Sequence, residues 1–104
     1  MKIRVAHTQD LAEDQAKLVQ IDGREVALFH HNGRFYALDN RCPHQGGPLG
    51  EGHFDGDCVI CPWHHWDFHL ETGKSRLGPD VCVLAYEVAI EGDEVYIVGK
   101  KPAS

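Results

Sequence analysis

Residues 61–66 read Cys-Pro-Trp-His-His-Trp, a thiol three places ahead of one imidazole and four ahead of another. Cys61 and His64 make a Cys-x-x-His half-site. A second half-site, Cys-x-His at Cys42 and His44, stands upstream, with sixteen residues between His44 and Cys61. Thiolate and neutral imidazole are ligands for zinc and for the iron of iron–sulfur clusters. Structural zinc sites usually pair Cys with Cys and His with His along the chain. Here each segment offers one of each, and residues at i and i+2 of an extended chain point opposite ways. That arrangement suits two metal centres side by side, such as the two irons of a [2Fe–2S] cluster. The candidate ligands are Cys42, His44, Cys61 and His64, with zinc, which accepts the same ligand types, as the competing occupant.

Such loops need a scaffold, and the flanking sequence has the alternation of strands. Lys2–Ala6 and Ala16–Ile21 alternate with period two, as half-buried strands do. Asp22-Gly23 and Asn32-Gly33 separate the runs around Glu25–His31 and Arg34–Asp39. These dipeptides supply the two positive-φ residues of a type I′ hairpin turn, so an antiparallel meander is expected. Strands resume at Val83–Glu91, turn at Gly92-Asp93, and continue through Glu94–Gly99. Asp10–Lys17 is the one stretch that would hold a short helix, and Lys100–Ser104 reads as a frayed tail. The expectation is an all-β chain, one domain over 1–104. A loop-rich portion at roughly 40–80 holds most of the glycines, both tryptophans and three of the four cysteines.

Length and charge narrow the class. The chain has 104 residues, 42% of them hydrophobic, and a formal net charge of −6. Its acids are spread along the chain, which argues against a nucleic-acid binder with clustered Lys and Arg. The first ten residues have no apolar signal region, and the longest apolar run, Val81–Tyr86, is far too short to span a bilayer. A cytoplasmic, membrane-free protein is therefore expected, in which reduced cysteines serve metal rather than disulfides.

"CPHQGGPL" and "CPWHHWDFHLETG" resemble the two cluster-binding loops of the Rieske family, and the likeness extends over nearly the whole chain. It implies an antiparallel β base with a loop-rich cluster-binding subdomain, and one [2Fe–2S] cluster whose second iron carries two His in place of two Cys. On this chain Cys42 and Cys61 would hold one iron, and His44 and His64 the other. His65 falls outside the motif spacing and is expected to be a neighbour. Leu77–Asp80 resembles the family's proline-containing third loop. Gly46, Gly47 and Pro48 would let the first loop turn tightly and aim N–H groups at the sulfides.

Other residues have plainer readings. Cys58 and Cys82 are expected as small buried hydrophobes, and His7, His30, His31, His53 and His69 as side chains with no metal role. Trp63, with Pro62 and Leu49, would shield the cluster or form a docking patch. Trp66 and Phe68 would pack in the second loop.

No phosphate-cradling glycine motif, nucleotide fingerprint or second metal set is visible, so the expected role is one-electron transfer and not catalysis. The resemblance implies a monomeric ferredoxin shuttling between a flavin reductase and a terminal oxygenase of a ring-hydroxylating dioxygenase system. The alternatives are a small subunit docked on the large subunit of an NAD(P)H nitrite reductase, supported by the likeness of "TGKS" and "CVLAYEV", and a zinc-stabilised interaction domain.

The resemblance also bears on potential. High-potential members carry a disulfide between the loops, and a Ser and a Tyr whose hydroxyls bond cluster and ligand sulfur. Here Gly47 or its neighbours and Trp63 stand at the disulfide positions, and Trp66 and Phe68 at the hydroxyl positions. Fewer donors stabilise the reduced, more negative cluster less. The midpoint is predicted near the bottom of the range of roughly −150 to +300 mV for such centres; a voltammetric value well above about 0 mV would contradict this.

Overall fold

The computed structural model describes residues 2–41, 47–63, 65–78 and 81–101. Among these residues nine strands form two antiparallel sheets. The larger has β1 (Ile3–His7), β2 (Gln15–Ile21), β3 (Arg24–His31), β4 (Arg34–Asp39), β8 (Ala85–Glu91) and β9 (Glu94–Lys100), in the order β1-β9-β8-β4-β3-β2. The smaller is a β5-β6-β7 meander of His53–Asp55, Cys58–Ile60 and Asp67–His69. The expected meander is present. Asp22 and Gly23 have φ of 49° and 79°, Asn32 and Gly33 of 54° and 74°, the values a type I′ turn requires. At the β8–β9 turn Gly92 has φ of 61°.

β3 lies between β4 and the edge strand β2, and it is buried on both faces. Val26 and Leu28 enter one apolar cluster with Ala37, Tyr86, Val95 and Ile97. Ala27 and Phe29 enter the other, with Leu38, Leu49, Val59, Cys61 and Phe68. This explains the unbroken run Val26–Phe29, since a strand covered on both sides loses its polar alternation. The second cluster is the seam between the sheets. β2, at the sheet edge, departs from a simple half-buried strand: Ala16 joins one cluster, Val19 and Ile21 the other, and Leu18 is 46% exposed.

The helix expected over Asp10–Lys17 does not form. A single 3-10 turn at Thr8–Asp10 is capped reciprocally by His7 and Asp10, and Asp14 has a φ of 64°, outside helical space. From Gln15 the chain pairs with β3, and that ladder overrides a weak local preference. At the far end Lys101 is tethered: its N–H donates to the Ala85 carbonyl and its Nζ pairs with Glu71. Residues 102–104 lie outside the described residues. Among those described, no helix is long and apolar enough to cross a membrane.

Two polar nodes fix the sheets. Asp39, closing β4, accepts from Tyr86 Oη at 2.7 Å and from Arg24 Nη2 at 2.6 Å. Burial, then the bond to Asp39, pushes the Tyr86 phenol up to about 12. His31 joins the sheets themselves. Its Nδ1 lies 2.5 Å from Asp14 Oδ1, its Nε2 lies 2.7 Å from the Gly56 carbonyl in the β5–β6 turn, and its ring stacks on Phe54 at 4.4 Å.

Both His31 nitrogens face acceptors, an arrangement only the doubly protonated ring satisfies. Burial works against that charge, but Asp14, the Gly56 carbonyl and Glu13 outweigh it and raise the pKa above 6.5. A raised histidine pKa contributes stability that is complete below the unfolded value and fades as pH rises through the folded one. Urea unfolding of parent and His31→Asn should therefore differ more at pH 5.5 than at pH 8.5, at about one to two units either side of the reference value. An equal or larger difference at the higher pH would contradict the charged clamp.

Candidate metal centre

The small sheet places the one expected ligand among the described residues. β5 and β6 turn at Gly56, with φ of 60°, and Cys61 follows directly on β6. The loop 61–66 closes on itself: the Cys61 N–H donates to the Trp66 carbonyl at 2.7 Å, and β7 then returns in register with Phe68 opposite Val59. Cys61 is fully buried, a free thiol in the apolar seam. Cys42, His44 and His64 lie outside the described residues, as do Gly46, Pro79 and Asp80.

The first loop is gripped at its neck. Asn40, 3% exposed, donates its N–H to the Glu25 carbonyl and accepts the Leu49 N–H at its own carbonyl. Its Oδ1 takes the Gly50 N–H at 2.6 Å and its Nδ2 donates to Glu25 Oε1 at 2.6 Å. Asn40 thus ties the far end of the loop, at Leu49 and Gly50, to Glu25 on β3, and Arg41 and Pro48 form a bridge across the neck. Asn40 was not singled out from the sequence. Its signal there is faint, an Asn directly after a strand and two residues before Cys42.

Gly47 brings the first loop against the second. A Cβ built on it would stand 2.8 Å from Cys61 Sγ and 3.1 Å from Trp63 Cβ. The first distance shows that the loop backbone approaches the Cys61 sulfur as closely as only glycine permits. The second shows that Gly47 faces Trp63, whose Cβ and Cγ stand where a side chain at position 47 would go. A fully buried thiol in an apolar cluster, closely approached by the Gly47 backbone, fits a thiolate-held cluster screened from water.

The surrounding residues sort themselves. Trp63 is 47% exposed beside exposed Pro62 and His65, and His65 has a φ of 58°. Leu49 is fully buried in the cluster that contains Cys61, which removes it from a docking patch: the 3-10 turn Leu49–Glu51 drives it into the seam. Phe68 is fully buried and Trp66 packs against the same cluster, as expected. Cys58 is buried, but Cys82 is exposed, because the chain there makes only an isolated bridge to Lys74 and β8 begins at Ala85. His31 gathers Glu13 and Asp14 within reach of a common ion. The pairing of its Nδ1 with Asp14, and the bonds from Asn32 and Gly33 N–H to Glu13, make this a turn anchor.

Residues 1–87 match the model of the Rieske [2Fe–2S] domain. The chain belongs to that family. Its cofactor is the [2Fe–2S] cluster. The ferredoxin component of the alkene monooxygenase system of Xanthobacter autotrophicus is 36% identical over 101 residues, 96% of this chain and 82% of that one. Human apoptosis-inducing factor 3 is 37% identical over 95% of the chain, which spans only 16% of that protein. Among solved structures, a complex of reduced oxygenase and oxidised ferredoxin in carbazole 1,9a-dioxygenase matches with a TM-score of 0.87 and 30% identity, over 99% of this chain and 97% of that one. A protein assigned as an NADPH nitrite reductase small subunit gives a TM-score of 0.85 at 23% identity, over 95% and 99% of the two chains, a likeness of fold alone.

Gly52 offers a test of how the loops are seated. A Cβ there would meet the Ile60 carbonyl oxygen at 2.2 Å and the Leu49 oxygen at 3.2 Å, backbone atoms that cannot step aside. Gly52→Ala should cost about 1–3 kcal/mol in urea unfolding and lower the iron content of this Rieske domain. Gly78→Ala, with nothing within 4 Å, should stay within about 0.5 kcal/mol of the parent. Equal behaviour of the two would refute the seating.

Proposed function

We propose that this chain is the one-electron carrier of an oxygenase system, taking electrons from a flavin reductase and passing them to a terminal oxygenase. The observation that carries this reading is the near full-length likeness to ferredoxin components, one of them in complex with its oxygenase. The acidic balance of the chain would steer it toward basic partner surfaces. It acts as a carrier and not as a catalyst, a cytoplasmic monomer that binds its partners transiently. Its domain spans 1–104, with the cluster-binding portion at roughly 40–80.

In this reading Cys42 and Cys61 hold one iron and His44 and His64 the other. The bound cluster supplies one reversible electron. The protein's part is to bury the Cys61 thiolate, to hold the first loop by Asn40 so that Gly47 closes on that sulfur, and to leave Trp63 and His65 at the surface beside it. Burial keeps water from the ligand sulfur, and the paired sheets limit how far the loops shift when charge changes.

Anaerobically purified, dithionite-reduced protein should give a spin-half paramagnetic resonance signal with an average g below that of a four-Cys ferredoxin. Two irons and two sulfides per chain are expected in the same sample. Cys61→Ala should abolish both the signal and the iron. A silent spectrum with one zinc per chain would sink electron transfer and leave a zinc-stabilised interaction domain.

A further inference from the structure

One carboxylate beside the Cys61 loop is enclosed and multiply bonded. Asp67 opens β7 opposite Ile60, and its side chain is 13% exposed. Its Oδ1 accepts the Ser75 hydroxyl at 3.0 Å and the Arg76 N–H at 3.2 Å. Its buried Oδ2 meets Arg76 as an ion pair, 2.9 Å from Nε. The same guanidinium reaches Cys58 Sγ through Nη2 at 3.5 Å. A carboxylate withdrawn from water keeps its charge only with such partners, and it holds them as firmly as they hold it.

Those partners belong to one segment, 75–78. The Ser75 N–H donates to the Val81 carbonyl at 2.9 Å, the Leu77 N–H to Ser75 Oγ at 3.1 Å, and the Val81 N–H to the Gly78 carbonyl at 3.1 Å. Val81 packs against the apolar cluster that contains Cys61. On its other side Asp67 directly follows Trp66, whose carbonyl closes the Cys61 loop. The sequence joins these pieces only through the seven residues 68–74, and no periodic pattern links them.

We propose that Asp67 is a positioning residue for the metal centre: its Oδ1 ties segment 75–78 to the strand that leaves the Cys61 loop, fixing both against each other. Backbone pairing alone would leave Ser75–Gly78 hinged at its ends, since among the described residues its backbone-to-backbone bonds run to Val81, from the Ser75 N–H and to the Gly78 carbonyl. The two bonds to Oδ1 convert that hinge into a braced joint. The inference concerns how the site is braced and holds whichever redox partner the protein serves.

Hydrogen exchange by mass spectrometry on the cluster-loaded protein tests it, with peptides covering 58–66, 73–82 and 26–38. Asp67→Ala should speed exchange in 58–66 and 73–82 by about tenfold or more while 26–38 stays within about twofold. Iron release to a chelator should quicken in step. Asp67→Asn keeps an oxygen acceptor for Ser75 and Arg76 N–H and should stay within about threefold of the parent. Should Asp67→Ala not fold, Ser75→Ala deletes one donor only and should speed 73–82 by about threefold. Unchanged exchange in 73–82, parallel acceleration in 26–38, or Asn behaving as Ala would overturn the assignment.

Discussion

The approach of the Gly47 backbone to the Cys61 sulfur is the constraint around which the small sheet is built. To hold a cluster the Cys61 sulfur would have to be dry, and a loop has to pass close enough to cover it without a side chain in between. A Cβ 2.8 Å from Sγ leaves no residue but glycine at that point in this arrangement. The approach in turn needs both loops to be held from behind. Gly52 lets the first loop lie against the Ile60 carbonyl, one residue from Cys61, and Asn40 grips its neck. The second loop is closed by its own Cys61-to-Trp66 bond and continued by the β6–β7 ladder. Each of these contacts is between backbone atoms or to backbone atoms, which is why the loops are short on periodicity and rich in glycine.

The larger sheet supplies rigidity by a different means. β3 and β4 are buried on both faces, so a shift of the smaller sheet would disturb the seam cluster that holds Ala27, Phe29, Leu38 and Cys61 together. Close-packed interiors resist such motion because few voids exist for atoms to move into. His31 adds a polar contact across the same boundary, from the end of β3 to the β5–β6 turn, with the Phe54 ring beneath it. The hairpin pairings are local in sequence, so the platform can assemble before the longer β4–β8 and β1–β9 pairings close it.

What was legible in the sequence follows from this division. Asp22-Gly23 and Asn32-Gly33 announce their turns because positive φ at two successive residues suits few other pairs. The half-sites stood out as candidates because Cys and His at fixed spacing have few alternative explanations. Asp10–Lys17 misled because a weak helical preference says nothing about a partner strand waiting at β3. Leu49 and Cys82 misled in opposite senses, since burial of a loop residue depends on which way one turn faces. Asn40 and Asp67 stayed silent because a side chain bonding to backbone ten residues away, or to a segment eight residues on, leaves no repeat to read.

The same enclosure bears on the direction in which electrons prefer to move. Adding an electron to a buried site places a further negative charge in a low-dielectric surrounding, on a chain already at −6. That charge is best stabilised by hydrogen-bond donors aimed at the sulfurs. Phe68, fully buried where a hydroxyl would otherwise stand, provides none, and Trp63 fills the space where a cross-loop disulfide would have drawn the loops together. Apolar packing therefore serves two ends at once. It excludes water from the Cys61 sulfur, and with no hydroxyl at Phe68 a reduced cluster there would lack one donor, which would make the protein a readier electron donor. An exposed Trp63 beside that dry interior marks the face at which both consequences meet the surface.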